Sequence, residues 1–156
     1  MALAGISTLG VTFGYGIEEA AGTKPTDFTQ LTRINSIGGI NIEPETIDAS
    51  ALEDLVERSV AGRATTGGSF NVVINATPET IEEIEELIAE YEVAKASGLR
   101  VWFETIIPGF DKAFFVVAQP PQAIPQPEIG QNDLLTIELS LTIEDFKGMD
   151  TKVAFA

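Results

Sequence analysis

The residues able to do chemistry in this chain are almost all carboxylates. Asp and Glu number 24 against nine Lys and Arg, with no histidine, no cysteine and a formal charge of −15. Without cysteine there are no disulfides, thiol nucleophiles or zinc–thiolate sites. Without histidine the commonest general base and the commonest transition-metal ligand are missing. The pairs Glu18-Glu19 and Glu53-Asp54 have the residue types for a cation site or an acid–base couple, yet adjacent carboxylates are expected in a chain this acidic. Gly38-Gly39 and Gly67-Gly68 are not followed by a helix N-terminus, so they read as turns and not as phosphate cradles. No Walker loop, dinucleotide fingerprint, EF-hand loop or nucleophile elbow occurs. Asn75-Ala76-Thr77 matches a glycosylation sequon, but Pro78 and the pattern after it assign Thr77 to a helix cap. Trp102, Phe103, Phe114 and Phe115 read as core or interface rather than as a ligand groove. The expectation is a non-enzyme without cofactor or metal. Its negative surface repels phosphate, which suits solubility and also a passage that DNA slides through without adhering.

The elements that would position these residues are mostly strands. At 156 residues, 44% of them hydrophobic, the chain fits one folded domain over 1–156. Val11, Phe13 and Tyr15 alternate with Thr12 and Gly14, as in a short strand with weak edges. Residues 31–37 and 40–43 read as two extended pieces, the second ended by Pro44. Phe70, Val72 and Ile74 mark another strand. The one helix is expected over about 78–97, with Thr77 as N-cap, Ile81, Ile84, Leu87, Ile88 and Tyr91 on its dry side, and Gly98 after its end. Its other side carries Glu82, Glu83, Glu85, Glu86, Glu90 and Glu92, read as a solvated face. Residues 101–107 and 112–119 form a hairpin around Pro108-Gly109, and prolines between 120 and 130 predict an extended connection. The cleanest pattern is the last. Leu135, Ile137, Leu139, Leu141 and Ile143 alternate with Thr136, Glu138, Ser140, Thr142 and Glu144, giving one dry face and one wet face, before a tail that reads as loose. The N-terminal stretch lacks basic residues and is broken by glycines, so it reads as neither signal peptide nor membrane span; synthesis in the cytoplasm without export is the default.

Between two of these strands lies a segment, 46–69, much longer than the roughly 4–6 residues that a connection needs. Ser50 and Glu53 have capping-box spacing, which predicts a short, marginal helical turn carrying Leu52, Leu55 and Val56. Gly62 and Gly67-Gly68 supply hinges. Arg58 and Arg63 are scarce cations on an acidic body, suited to carboxylates of a neighbouring copy. The segment is expected to be mobile in a free subunit and ordered when docked. Asp48, Leu52, Leu55, Arg58 and Arg63 are the candidate subunit-interface residues.

Taken together, Gly10–Tyr15, Thr32–Gly39, Ile47–Asp54, Val60–Arg63, Thr66–Phe70, Lys112–Pro121 and Leu134–Gly148 resemble the major tail protein, or tail tube protein, of long non-contractile-tailed phages and prophages of Gram-positive bacteria. The resemblance runs nearly the whole length. It implies a mainly β (α+β) fold, a β-sandwich or partial barrel with one flanking helix and a long inter-strand loop. It also implies homohexameric rings stacked into a tube, with residues 1–30 and 46–69 as assembly arms. The tube would conduct DNA without binding it specifically. The implied partners are further copies, a tape measure protein, a tail terminator and a distal tail protein; no membrane is involved. The implied location is the virion tail, after synthesis in the host cytoplasm. Thr136, Glu138, Ser140, Thr142 and Glu144 would then line the lumen. From another class, the alternative is a monomeric β-sandwich binding module such as a capsid decoration or carbohydrate-binding domain. A carboxylate hydrolase is the remote third.

Overall fold

A computed structural model of the chain describes residues 5, 7, 9–65 and 68–155. It is mainly β with one helix, in chain order β1 (Thr12–Ile17), β2 (Thr29–Leu31), β3 (Ile34–Ile37), β4 (Glu43–Asp48), β5 (Ser59–Thr65), β6 (Ser69–Asn75), α1 (Pro78–Ala96), β7 (Val101–Ile106), β8 (Lys112–Gln119) and β9 (Thr136–Thr151). Seven strands form one antiparallel sheet in the order β2-β1-β7-β8-β9-β6-β3, and β4 and β5 pair as a separate ribbon.

The sheet must curl. Its two edge strands, β2 and β3, are consecutive in sequence, and only Thr32 and Arg33 join them. Three chain steps at about 3.3–3.6 Å each cannot span a flat seven-stranded sheet, so the edges are drawn together into a partial barrel. Strand β9 makes the corner. Its first half, Thr136–Thr142, pairs with β6, and its second half, Thr142–Thr151, pairs with β8. Register shifts in the β8–β9 ladder, with Gly148 at φ 74°, bend the strand between its two partners. The tail expected to be loose from Gly148 is therefore strand as far as Thr151, because β8 continues to offer it a ladder.

The concave side of the sheet is the main core. Phe13, Tyr15, Leu31, Phe70, Val72, Phe103, Val116, Ile137, Leu139 and Leu141 share it with Ile84, Leu87 and Tyr91 of α1. The helix begins where β6 ends and returns to the start of β7, so it closes that end of the barrel. Thr77 caps it by accepting from the Thr80 N–H at 3.2 Å, while Thr80 Oγ1 accepts from the Thr77 N–H at 2.8 Å. Thr80 thus fills the capping-box position usually held by Glu or Gln. Gly98 ends the helix at φ 74°. The expected dry stripe is correct in phase but narrower. Ile84, Leu87 and Tyr91 are buried, whereas Ile81 and Ile88 are half-buried at its margins.

A second core lies on the convex side. Phe28, Trp102, Ala113, Phe115 and Val117 are buried there under Val153 and Phe155. The glycines of β1 make it possible. Phe13 and Tyr15 face the main core, while Gly14 and Gly16 face outward, and a Cβ at Gly14 would meet the Phe155 ring and one at Gly16 the Phe28 ring. The apparent weakness of this strand in the sequence is the slot that receives two aromatics. Phe28 and Phe155 also form a parallel bridge.

Candidate assembly surfaces

The segment 46–69 is not a loop with a helical turn; it is most of a β-hairpin arm. Ile47 pairs with Val60 and Asp48 with Ser59. A hairpin ladder satisfies several backbone groups, whereas one isolated helical turn fixes three residues for a single bond. Ser50 and Glu53 accordingly do not cap a helix. The Arg58 N–H donates to Ser50 Oγ at 2.7 Å across the tip, and the Ala51 N–H donates to Asp54 Oδ2 at 2.8 Å. Pro44, expected to end a strand, lies inside β4. It is tolerated because the ribbon has two free edges and an irregular register between Pro44 and Thr46. Gly67, part of the expected hinge, and Thr66, from one of the resembling stretches, lie outside the described residues.

All five candidate interface residues ride on this arm. Asp48 ends β4, and its carboxylate accepts the Ser50 N–H at 2.9 Å, a bond that holds it below the usual aspartate range. Leu52 and Leu55 at the tip are fully exposed, at 109% and 101%, with Val56 beside them. Arg58 is turned toward its own arm, its Nε 3.6 Å from Asp54 Oδ1. Arg63 is exposed on β5. A two-stranded hairpin alone is marginal in water, and every residue of β4 is exposed.

Four of the five candidate lumen residues stand together. Thr136, Glu138, Ser140 and Thr142 lie on one face of β9, with Ile137, Leu139 and Leu141 buried on the other. Asn71 of β6 donates to Glu138 Oε1 at 2.6 Å. Glu144 is set apart, because the register passes over it between Ile143 and Asp145, and it takes a hydrogen bond from Gln119 at 2.6 Å. Sequence reading missed what runs beside this face. The proline-rich connection runs beside it and borders an open depression of about 790 Å³ lined by Pro125, Glu128, Asp133, Asn71, Glu138 and Ser140 among others, where Glu138 and Ser140 stay exposed. Nothing in the spacing of the prolines says on which side of the sheet they pass.

Two buried carboxylates were also missed as such. Glu18 accepts from Trp102 Nε1 at 2.9 Å and from the Arg100 N–H at 2.8 Å. Burial pushes its pKa up, but those bonds and the Arg100 charge outweigh burial and leave it below the ordinary value. Glu104 points into the second core, where one oxygen accepts the Val153 N–H at 2.8 Å and the other has no partner. Burial dominates there and raises its pKa against the pull of Val153, Lys24 and Lys152. Neither carboxylate opens on a cleft with a second acid. Among the described residues no cluster of three acidic side chains could hold a metal ion, and no helix is long and apolar enough to cross a membrane.

The chain is similar to one in the cryo-EM structure of the anti-feeding prophage (AFP) baseplate, 6-fold symmetrised, with a TM-score of 0.54 and 15% identity over 94% of this chain and 96% of that one. At this identity the likeness establishes a shared fold over nearly the full length of both. No protein-family model and no curated protein sequence matches the chain.

Proposed function

We propose that the protein is a structural component of a phage-type tail, a tail tube subunit that associates with further copies of itself into hexameric rings stacked as a tube. The observation that carries this reading is the shared fold with a chain of a six-fold symmetrised, prophage-derived baseplate. The arm supports it independently, since an exposed two-stranded ribbon tipped with leucines is a poor feature for a free monomer and a natural one for an assembly. Strand β9 adds two half-edges, since β8 pairs with it only from Thr142 onward and β6 only up to Thr142. Unpaired edges favour closure against neighbours.

In this reading Thr136, Glu138, Ser140, Thr142 and Glu144 face a lumen through which DNA passes, repelled by a chain of charge −15. The proline-rich connection runs beside part of that face. Tape measure, terminator and distal tail proteins would be its other partners, and the virion tail its place.

The test is negative-stain electron microscopy of concentrated protein, intact and with Ser50–Glu57 removed. Intact protein should give rings or hollow tubes. The shortened protein should give folded monomers, because the tip touches nothing in the body. Monomers from the intact chain at every concentration would remove the proposal in favour of a binding module.

A further inference from the structure

The last residues of the chain cross the convex side as a strap. Beyond Thr151, where β9 ends, Lys152–Phe155 leave the sheet and lie over the second core. Val153 and Phe155 are half-buried against that core, while Lys152 and Ala154 are exposed. The ties to the body are short-range and sparse. The Val153 N–H donates to Glu104 Oε2 at 2.8 Å, and the Lys152 ammonium donates to the Phe110 carbonyl oxygen at 3.1 Å. Phe155 fills the slot over Gly14 and bridges to Phe28.

Glu104 is a costly anchor for such a segment. It is fully buried, and its Oε1 has no hydrogen-bond partner. Once ionised, it is a buried charge that is only partly compensated. Across the ladders it faces Gly14 of β1 and Phe115 of β8, which carry no charge. Lys24 and Lys152 favour the ionised form, but burial outweighs them. Lys24 is also shared with Asp150, 3.5 Å away, and with the Phe115 ring, whose centroid is 4.2 Å away. Relief needs one side of the contact to move. Glu104 is fixed, because β7 is laddered to β1 on one side and to β8 on the other. The strap has no such ladder.

We infer that Lys152–Phe155 is a proton-controlled strap, closed over the second core while Glu104 is neutral and released locally, with the barrel intact, when Glu104 ionises. The sign follows from the raised pKa of the closed state. The carboxyl's contribution to closure is fully present below its ordinary 4.5 and is lost as pH rises through the closed-state value. Release brings water to Glu104 and uncovers Phe28, Trp102 and Phe115, an aromatic face hidden in the closed form. The strap contributes no residue to the main core, so the packing of α1 on the sheet is kept. Release needs no second copy and is therefore separable from the assembly reading.

Trp102 is the chain's only tryptophan, so its fluorescence reports on this face. Acrylamide quenching of dilute intact protein is followed from below 4.5 to about 8, beside hydrogen exchange of the Val153 amide corrected for the intrinsic effect of pH. Both should increase with pH, the exchange by about tenfold or more. Glu104→Gln keeps the shape and cannot ionise, so both readings should stay low and flat. A chain lacking residues 153–156 should be quenched strongly at every pH while the amides of α1 stay protected. Readings that do not change with pH in the intact protein, or that change equally in Glu104→Gln, overturn the inference. So does a Val153 amide that opens only together with those of β7, because that is unfolding of the barrel and not release of a strap.

Discussion

Replacing Gly14 with alanine tests whether the outer face of β1 is shaped by what it lacks. Gly14 does not have a positive φ, so glycine is not required there by backbone conformation. Alanine would narrow the unfolded ensemble, a gain of about 0.4–1 kcal/mol. Against that, its Cβ runs into the Phe155 ring and the Thr29 carbonyl oxygen. The Thr29 oxygen belongs to the β1–β2 ladder and cannot rotate away. Phe155 can move only by leaving its slot and its bridge to Phe28. Overpacking of this kind costs about 1–3 kcal/mol, so the clash wins by about 1–2 kcal/mol. For a chain of this size that is a fall in Tm of about 2–8 °C. The assay is urea and thermal unfolding of Gly14→Ala beside Gly39→Ala, whose Cβ would meet nothing within 4 Å. The Gly39 variant should match the parent or gain up to about 1 kcal/mol. Introducing Phe155→Ala first should shrink the Gly14→Ala penalty without abolishing it, since Thr29 remains. A Gly14→Ala protein as stable as its parent would refute the slot.

Glu104 should leave a signature in the pH dependence of stability. Its pKa is raised from an ordinary 4.5 by burial, so the folded state holds its proton longer than the unfolded chain does. Its contribution is fully present below 4.5 and is lost as pH rises through the folded-state value. Glu104→Gln removes that titration, so its Tm relative to the parent should climb as pH rises above 4.5; a constant difference across the range would show that Glu104 does not titrate as argued. The lumen assignment has its own check, in that Glu138→Lys with Glu144→Lys should slow DNA ejection from particles whose tails still form. Ejection at the parental rate would count against that facing.

The strands that were legible in the sequence are those with one wet and one dry face. Strand β9 is the clearest, because Ile137, Leu139 and Leu141 are buried between residues that are not. The helix was legible through its ends, since Thr77-Pro78 and Gly98 are local signals that need no tertiary partner. What stayed hidden depends on contacts distant in sequence. Gly14 and Gly16 look like weakness until Phe155 and Phe28 are placed over them. The extension of β9 to Thr151 is invisible because β8, not the local pattern, holds it there.

The candidate surfaces divide along the same line. Leu52 and Leu55 stand fully exposed at the tip of a segment too long for a plain connection. The local conformation was misread, since S-x-x-E is a short-range signal and the Ile47–Val60 ladder is not. Arg58 sits four residues after Asp54, whose Oδ1 lies 3.6 Å from its Nε, and its side chain stays largely exposed. The tip presents leucines and the acids Glu53 and Glu57. A surface of that composition is satisfied by a partner that is apolar where the leucines sit and basic where the acids do.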